Sequence, residues 1–305
     1  MSLLIETSNL TKQFEILTAV DGLTLKVNEG EILALLGPNG AGKTTTVRML
    51  SSIIKPTAGY ARIAGFDIVQ DAAQVRHIVG HLTEFPGLYL RMNALDYLYF
   101  FGELQGMPRA ARRARATQLL ERFGLGDVGT RRLGNFSKGM RQKVALVRAM
   151  LHQPRVLFLD EPTSAMDPHS AKQVRDAIAD LRGEGHTVIL CTHNLYEAET
   201  LADQIAIIRR GKLIASGTTT QLKNDLLGPP MWQVRLAQPI DAWPSLNGHL
   251  HVESQDALSL SYSTEQPEIA NPSLLNRLHD VGARVMTLGQ VPRSLEEVYL
   301  KLVEG

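Results

Sequence analysis

Phosphate chemistry is written into residues 37–45, GPNGAGKTT. The run fits G-x-x-x-x-G-K-[ST], with Gly37, Gly42, Lys43 and Thr44 at the fixed positions. A triphosphate carries dense negative charge and needs backbone N–H groups brought close to it. The absence of a side chain at Gly37, Gly40 and Gly42 permits that approach. Pro38, Asn39, Ala41 and Thr45 complete the loop. Lys43 offers a point charge to the β- and γ-phosphates, and the Thr44 hydroxyl offers a ligand to Mg2+.

A second set of chemical groups stands in VLFLDEP, residues 156–162. Asp160 can hold Mg2+, directly or through water, and Glu161 can polarise an attacking water. Two acids buried at a strand end without a cation are costly, so a metal is the natural explanation. His193 ends another apolar run, Thr187–Cys191, in the layer that holds Asp160. Cys191 reads as a small buried apolar residue, because Cys-x-His supplies too few ligands for a metal site. Glu84 opens a loop, Thr83–Gly87. Ser137 and Gly139 stand at the start of a helical pattern, where an N-cap and free N–H groups could either simply finish the helix or take an anion. Phe14, in TKQF, either stacks on a base or covers a core edge.

The elements that must hold these groups follow from periodicity. Glu31–Leu36 is a short apolar run suited to a buried strand, and Val47, Leu50 and Ile54 then recur at helical spacing. Strand, glycine loop, helix is the setting that a phosphate loop needs, with the helix N-terminus adding partial positive charge. Residues 3–10 and 19–27 read as strands around an Asp21-Gly22 turn, and 60–63 as another. From about 92 to 123 the pattern is helical, with Leu95, Leu98, Phe101 and Leu104 or Gln105 on one face. The basic run Arg109, Arg112, Arg113, Arg115 reads as a solvated face or a partner surface. A helix from Ser137 must end near Pro154. Further helices are expected at 170–182 and Leu195–Ala202, and strands at Gln204–Arg209 and Lys212–Ala215 about a Gly211 hairpin.

Gly228-Pro229-Pro230 marks a boundary. Beyond it strands at 231–236, 249–252, 257–262 and 284–288 and helices at 240–246 and 272–281 suggest a β-α-β-β-α-β, ferredoxin-like module. A final helix, SLEEVYLKLV, places Leu295, Val298 and Leu302 on one face. Nothing in 229–305 has a catalytic look.

The 305 residues are 44% apolar and 21% charged, the balance of a globular protein with a sizeable core. A net charge of +1 gives no argument for nucleic-acid binding. A single cysteine rules out an internal disulfide and suits a reducing compartment. The N-terminal MSLLIETSNL lacks the pattern of a secretory leader, and no apolar run approaches the ~20 residues that span a bilayer.

Together these motifs resemble the ATP-binding cassette ATPases over residues 3–225. GPNGAGKTT looks like the family's phosphate loop and VLFLDEP like its magnesium strand with the hydrolytic glutamate. FSKGM stands where its LSGGQ signature would be. SAMD resembles the D-loop through Asp167, His193 the switch histidine, and Phe14 the aromatic that stacks on adenine. Glu84 replaces the glutamine of the Q-loop, and Lys138 and Met140 replace two positions of the signature. These departures, with SLEEVYLKL, resemble the exporter branch whose membrane subunit is a separate chain.

The resemblance implies an α/β P-loop cassette: a RecA-like core, an antiparallel β-subdomain and a helical subdomain near 86–150, together residues 1–227. Residues 228–305 form an α+β accessory domain. It implies ATP and Mg2+ as ligands, the metal held by Thr44, Asp160 and, in an open question, Glu84. It implies a head-to-tail pair, with a second copy or a paralogous cassette, in which Ser137 and Gly139 contact the γ-phosphate across the interface. It further implies a transmembrane permease partner and a place on the cytoplasmic face of the membrane. Two rivals are weighed against it. A non-transport cassette acting on ribosomes or DNA would call for a long coiled coil, two cassettes or a basic surface. A regulatory module that binds ATP without turnover would sit poorly with Glu161 and His193.

Overall fold

Alternation of apolar and polar residues builds the first layer. Strand β1 (Leu3–Phe14) pairs antiparallel with β2 (Leu17–Asn28). In β2 the side chains of Leu23, Leu25 and Val27 are buried while Thr24 and Lys26 face solvent, the pattern of a sheet with one wet face. Both strands run further than the sequence alone suggests. Strand β3 (Ile32–Leu36) is buried at every residue, as apolar runs are when both faces of a strand are covered.

Helix α1 (Lys43–Leu50) follows the glycine loop. It stops before Ile54, which was expected on its face: Ser52 takes a left-handed φ of 54°, and the chain is heading for the Lys55-Pro56 turn, where helical geometry is disfavoured. Strands β4 (Ala58–Ile63) and β5 (Phe66–Asp67) complete an antiparallel sheet of order β2-β1-β4-β5. Helix α2 (Ala72–Ile78) leads into β6 (Val79–Leu82).

The pattern at 92–123 resolves into two helices, α3 (Ala94–Leu104) and α4 (Arg109–Arg122). Gly106, at φ 73°, and Pro108 separate them. The buried face of α3 carries Ala94, Tyr97, Leu98 and Gly102, while Leu104 is exposed. In the arginine run Arg109 and Arg113 are exposed, as a solvated face requires, while Arg112 pairs with Glu103 of α3 at 2.7 Å. Helix α5 (Lys138–Met150) starts where its cap implied, with the Ser137 side chain accepting from the Met140 N–H. Near its end Arg148 donates to the Pro86 carbonyl and to the Tyr97 hydroxyl.

Next come β7 (Val156–Asp160), α6 (Pro168–Gly183), β8 (Thr187–Thr192), α7 (Leu195–Leu201), β9 (Gln204–Arg209) and β10 (Lys212–Gly217). The second sheet has the order β10-β9-β3-β8-β7-β6, parallel except at the β9–β10 hairpin. One core cluster joins this sheet to the helices through Tyr97, Leu119, Val144 and Ile178. The other joins it to the antiparallel sheet and α1 through Leu10, Val27, Val47 and Met49.

This computed structural model describes residues 2–304 except 165, 241 and 246–249. The chain forms two compact units, Met1–Thr219 and Thr220–Gly305. Helix α8 (Thr219–Leu227), not read from the sequence, thus opens the second unit, and the Gly228 turn follows it. Within that unit β11 (Met231–Leu236), β12 (His251–Gln255), β13 (Ser259–Ser263), α9 (Pro267–Asp280), β14 (Val285–Gln290) and α10 (Leu295–Glu304) follow. The all-antiparallel order β12-β13-β11-β14 is that of the ferredoxin-like module. The helix expected at 240–246 does not form at residues 240 or 242–245, and its other residues, 241 and 246, lie outside the described ones, as does residue 249 of the expected 249–252 strand.

Candidate active site

Strand register sets the level of the site. Leu36 of β3 stands opposite Thr192 of β8, and Asp160 of β7 opposite Cys191. The loops leaving these three neighbouring strands therefore emerge together at their C-terminal ends, where ligands bind in open α/β sheets. Those after β3 and β7 border a cleft of about 680 Å³ lined by Pro38–Thr45, Phe14, Glu84, Asp160 and Glu161.

The glycine loop is built for close approach. Gly42, at φ 109°, caps α1, and a Cβ there would stand 2.5 Å from the Ala19 carbonyl oxygen. A Cβ on Gly37 would stand 2.3 Å from the carbonyl oxygen of Ile208. Neither position has room for any other residue, and α1 leaves its first N–H groups free to face an anion. Lys43 is buried and donates to the carbonyls of Gly37, at 2.6 Å, and Pro38, at 3.2 Å.

The Thr44 hydroxyl donates to Asp160 at 2.8 Å. Asp160 is only 2% exposed. Burial pushes its carboxyl above its ordinary value; the Thr44 hydrogen bond pulls the other way, Glu161 raises it again, Lys43 lowers it and Glu84 raises it. A buried carboxylate paired with a hydroxyl at the edge of the cleft fits Mg2+, which takes one or two protein oxygens and completes its shell with phosphate oxygens and water. Among the described residues no group of three or more His, Cys, Asp or Glu side chains is arranged to hold a metal by itself.

Glu161 sits at a left-handed φ of 50°, a strained conformation of the kind that clusters at functional sites. Its Oε1 accepts from the His193 backbone N–H at 3.0 Å and meets His193 Nδ1 at 2.7 Å. The His193 side chain is exposed and is not among the residues that line the cleft. Cys191 is fully buried, and burial pushes its thiol well above its ordinary value, as befits a packing residue.

Phe14 is 45% exposed at the rim, with Lys12 Nζ 5.0 Å from its ring centroid. Glu84 reaches the cleft from the loop after β6. Ser137, Gly139 and Asp167 do not line it; Asp167 caps α6 by accepting from the Ser170 N–H at 3.0 Å. The structure adds four lining residues that no motif announced: Leu17, Thr18, Ala19 and Arg210. Arg210, at φ 50°, belongs to the β9–β10 turn, which the Gly211 N–H ties to the Ala41 carbonyl at 2.9 Å.

Known proteins resemble this chain in sequence and fold. The family model described as "ABC transporter" matches residues 20–164. The daunorubicin/doxorubicin resistance ATP-binding protein DrrA of Streptomyces peucetius is 40% identical over 98% of this chain and 92% of its own length. The bacitracin transport ATP-binding protein BcrA of Bacillus licheniformis is 32% identical over 100% of this chain and 99% of its own. A solved ATP-binding subunit of an ABC transporter superposes with a TM-score of 0.69 at 28% identity, covering 74% of this chain and 94% of that one. The chain belongs to the ABC transporter family and is an ATP-binding, ATP-hydrolysing cassette of it.

Proposed function

We propose that this cassette drives a separately encoded membrane permease that exports antibiotic-like molecules, working as a magnesium-dependent nucleotide-sandwich pair on the cytoplasmic face of the membrane. The observation that carries the reading is the convergence of Lys43, the Thr44–Asp160 pair and Glu161 on one cleft, with His193 hydrogen-bonded to Glu161 from outside it. The relatives named for drug resistance and for bacitracin transport support the substrate class. Among the described residues no helix is long and apolar enough to cross a membrane. Exposed Phe85, Tyr89, Phe100 and Leu104 near the start of the helical region offer the permease an apolar face.

Phosphoryl transfer leaves little covalent work to the protein; positioning and charge neutralisation dominate. The Lys43 amine would exchange its two loop carbonyls for β- and γ-phosphate oxygens. Thr44 and Asp160 would hold Mg2+, which neutralises charge on the phosphates, with Glu84 near its water shell. Glu161 would orient a water in line with the bond from the γ-phosphorus to the β–γ bridging oxygen and accept its proton as the new P–O bond forms and ADP leaves. His193, hydrogen-bonded to Glu161, would report the γ-phosphate. Ser137 and Gly139 of a second cassette would close on that phosphate, and its loss would let the pair open, a switch driven by differential contacts.

Two measurements test this. Glu161→Gln keeps the side chain's shape and removes its basicity; ATP-dependent pairing should persist while phosphate release falls at least about a hundredfold. Normal turnover by that variant overturns the role of Glu161. Mild detergent extraction of cells carrying a tagged copy should recover a multi-helix membrane protein, and co-expression of the two should raise resistance to daunorubicin or bacitracin. Recovery of ribosomes or DNA-repair proteins with no membrane protein overturns the transport reading and leaves the ATPase standing.

A further inference from the structure

Glu197 is a buried acid that the mechanism above does not use. It is the third residue of α7 and only 1% exposed. One carboxylate oxygen accepts from the Thr163 hydroxyl and the other from the Thr192 hydroxyl at 3.0 Å. Thr192 in turn accepts the Asn194 N–H at 3.0 Å, so its hydroxyl is both donor and acceptor. Neutral donors and the start of a helix, which favours negative charge, stabilise the buried group.

The position of the two threonines gives this arrangement its meaning. Thr163 lies two residues beyond Glu161, inside a turn closed by Ser164 N–H to Glu161 O and Met166 N–H to Thr163 O. Thr192 immediately precedes His193. One carboxylate therefore clasps the outgoing chain of the hydrolytic glutamate and the incoming chain of the histidine that bonds it. The two loops come from neighbouring strands, β7 and β8, and among the described residues the backbone bond that continues their ladder past Asp160 and Cys191 is the Glu161 N–H to Cys191 carbonyl bond. Burying a carboxylate is costly, and an apolar side chain of similar volume would be easier to accommodate.

We infer that Glu197 is a positioning residue: by holding Thr163 and Thr192 on one carboxylate it fixes Glu161 against His193 and so sets the rate of hydrolysis rather than the affinity for nucleotide. The inference rests on the hydrolytic role of Glu161 proposed above, and Glu161→Gln measured alongside separates the two.

The test uses the full chain with its membrane partner. Thr163→Val and Thr192→Val remove one donor each at nearly constant shape; Thr163→Ser and Thr192→Ser keep it. Each valine variant should lose about tenfold or more in kcat with KM for ATP within about twofold, and each serine variant should recover most of the loss. Combining Thr163→Val with Glu197→Gln should cost less than the sum of the two alone, because both break the same contact. Valine variants with wild-type kcat, valine and serine variants that fall equally, or a loss shared equally by kcat and nucleotide affinity each overturn the proposal. Normal turnover by Glu161→Gln overturns the role given to Glu161 and this inference with it, whereas impaired turnover by Glu161→Gln beside unaffected valine variants overturns the inference alone.

Discussion

Asp160 shows how a residue can serve function at the expense of the empty fold. Its carboxyl lies above its ordinary value of 3.8, chiefly through burial. The folded chain therefore binds the proton more tightly than the unfolded one, and stability falls as pH rises through the window between the ordinary and the raised value. The penalty is complete above the raised value and is gone below the ordinary one. Asp160→Asn, which keeps a partner for Thr44, should accordingly raise the thermal midpoint of the nucleotide-free protein at pH 7, and the gain should vanish as the pH is lowered past the window. Mg2+ and ATP should reverse the order, because a ligand that binds only the folded state stabilises the protein it binds. Thermal scans of both proteins at several pH values, with and without Mg2+ and ATP, check both halves. A variant no more stable than the parent at pH 7 removes the argument.

At this scale the sequence is most informative where chemistry demands a fixed spacing. Gly37, Gly42, Lys43 and Thr44 are readable because a phosphate accepts few alternatives, and Asp160-Glu161 because two acids after four apolar residues need explaining. Leu17, Thr18, Ala19 and Arg210 are not readable in the same way. They reach the cleft through a hairpin and a turn that any of several residues could occupy, and the backbone contact from Gly211 to Ala41 ties that turn to the loop. The left-handed backbone of Glu161 leaves no mark in the sequence either, since the residue type is set by chemistry rather than by φ.

The cap at the start of α5 and the contact to phosphate in a second cassette proposed for the same residue can be separated. The Ser137 side chain caps the helix by accepting the Met140 N–H at 3.2 Å, a contact whose loss in Ser137→Ala costs about 1 kcal/mol. Aspartate caps as well as serine and suits the helix dipole, so Ser137→Asp should keep the thermal midpoint close to that of the parent. Its charge would face the γ-phosphate of a second cassette. In a Glu161→Gln background, Ser137→Asp should therefore abolish ATP-driven pairing, read by size-exclusion chromatography, while leaving nucleotide binding by the monomer intact. Pairing that survives would place the signature helix away from the phosphate. Helical spacing located α5 well because one cap and one proline bound it. Between 92 and 123 it found helix but not the Gly106–Pro108 break that divides it in two, and of Leu104 or Gln105, read onto the core face, Leu104 is exposed. A helix with apolar residues on two faces defeats a reading that assumes one.

Across the whole molecule, nucleotide binding and the C-terminal region are built on separate cores. Every residue that lines the cleft lies between Phe14 and Arg210. The first unit closes its own interior through the clusters on either side of the six-stranded sheet. The second unit packs Val234, Leu236, Leu260, Tyr262, Leu274 and Leu278 into a core of its own. A unit of 86 residues, Thr220–Gly305, is within the size range that folds alone. A chain ended after Thr219 should therefore unfold cooperatively and bind ATP within about threefold of the full chain, as measured by calorimetry, since nothing that touches the nucleotide has been removed. The separate 220–305 fragment should show dispersed amide resonances of an antiparallel sheet and no response to ATP. Whether ATP still drives pairing of the shortened Glu161→Gln cassette then assigns the second unit its role: unchanged pairing gives it to regulation or to the permease, and lost pairing gives it to the dimer. A shortened cassette that no longer binds ATP would mean that the cleft depends on residues beyond the ones that line it, and the division of labour argued here would fall.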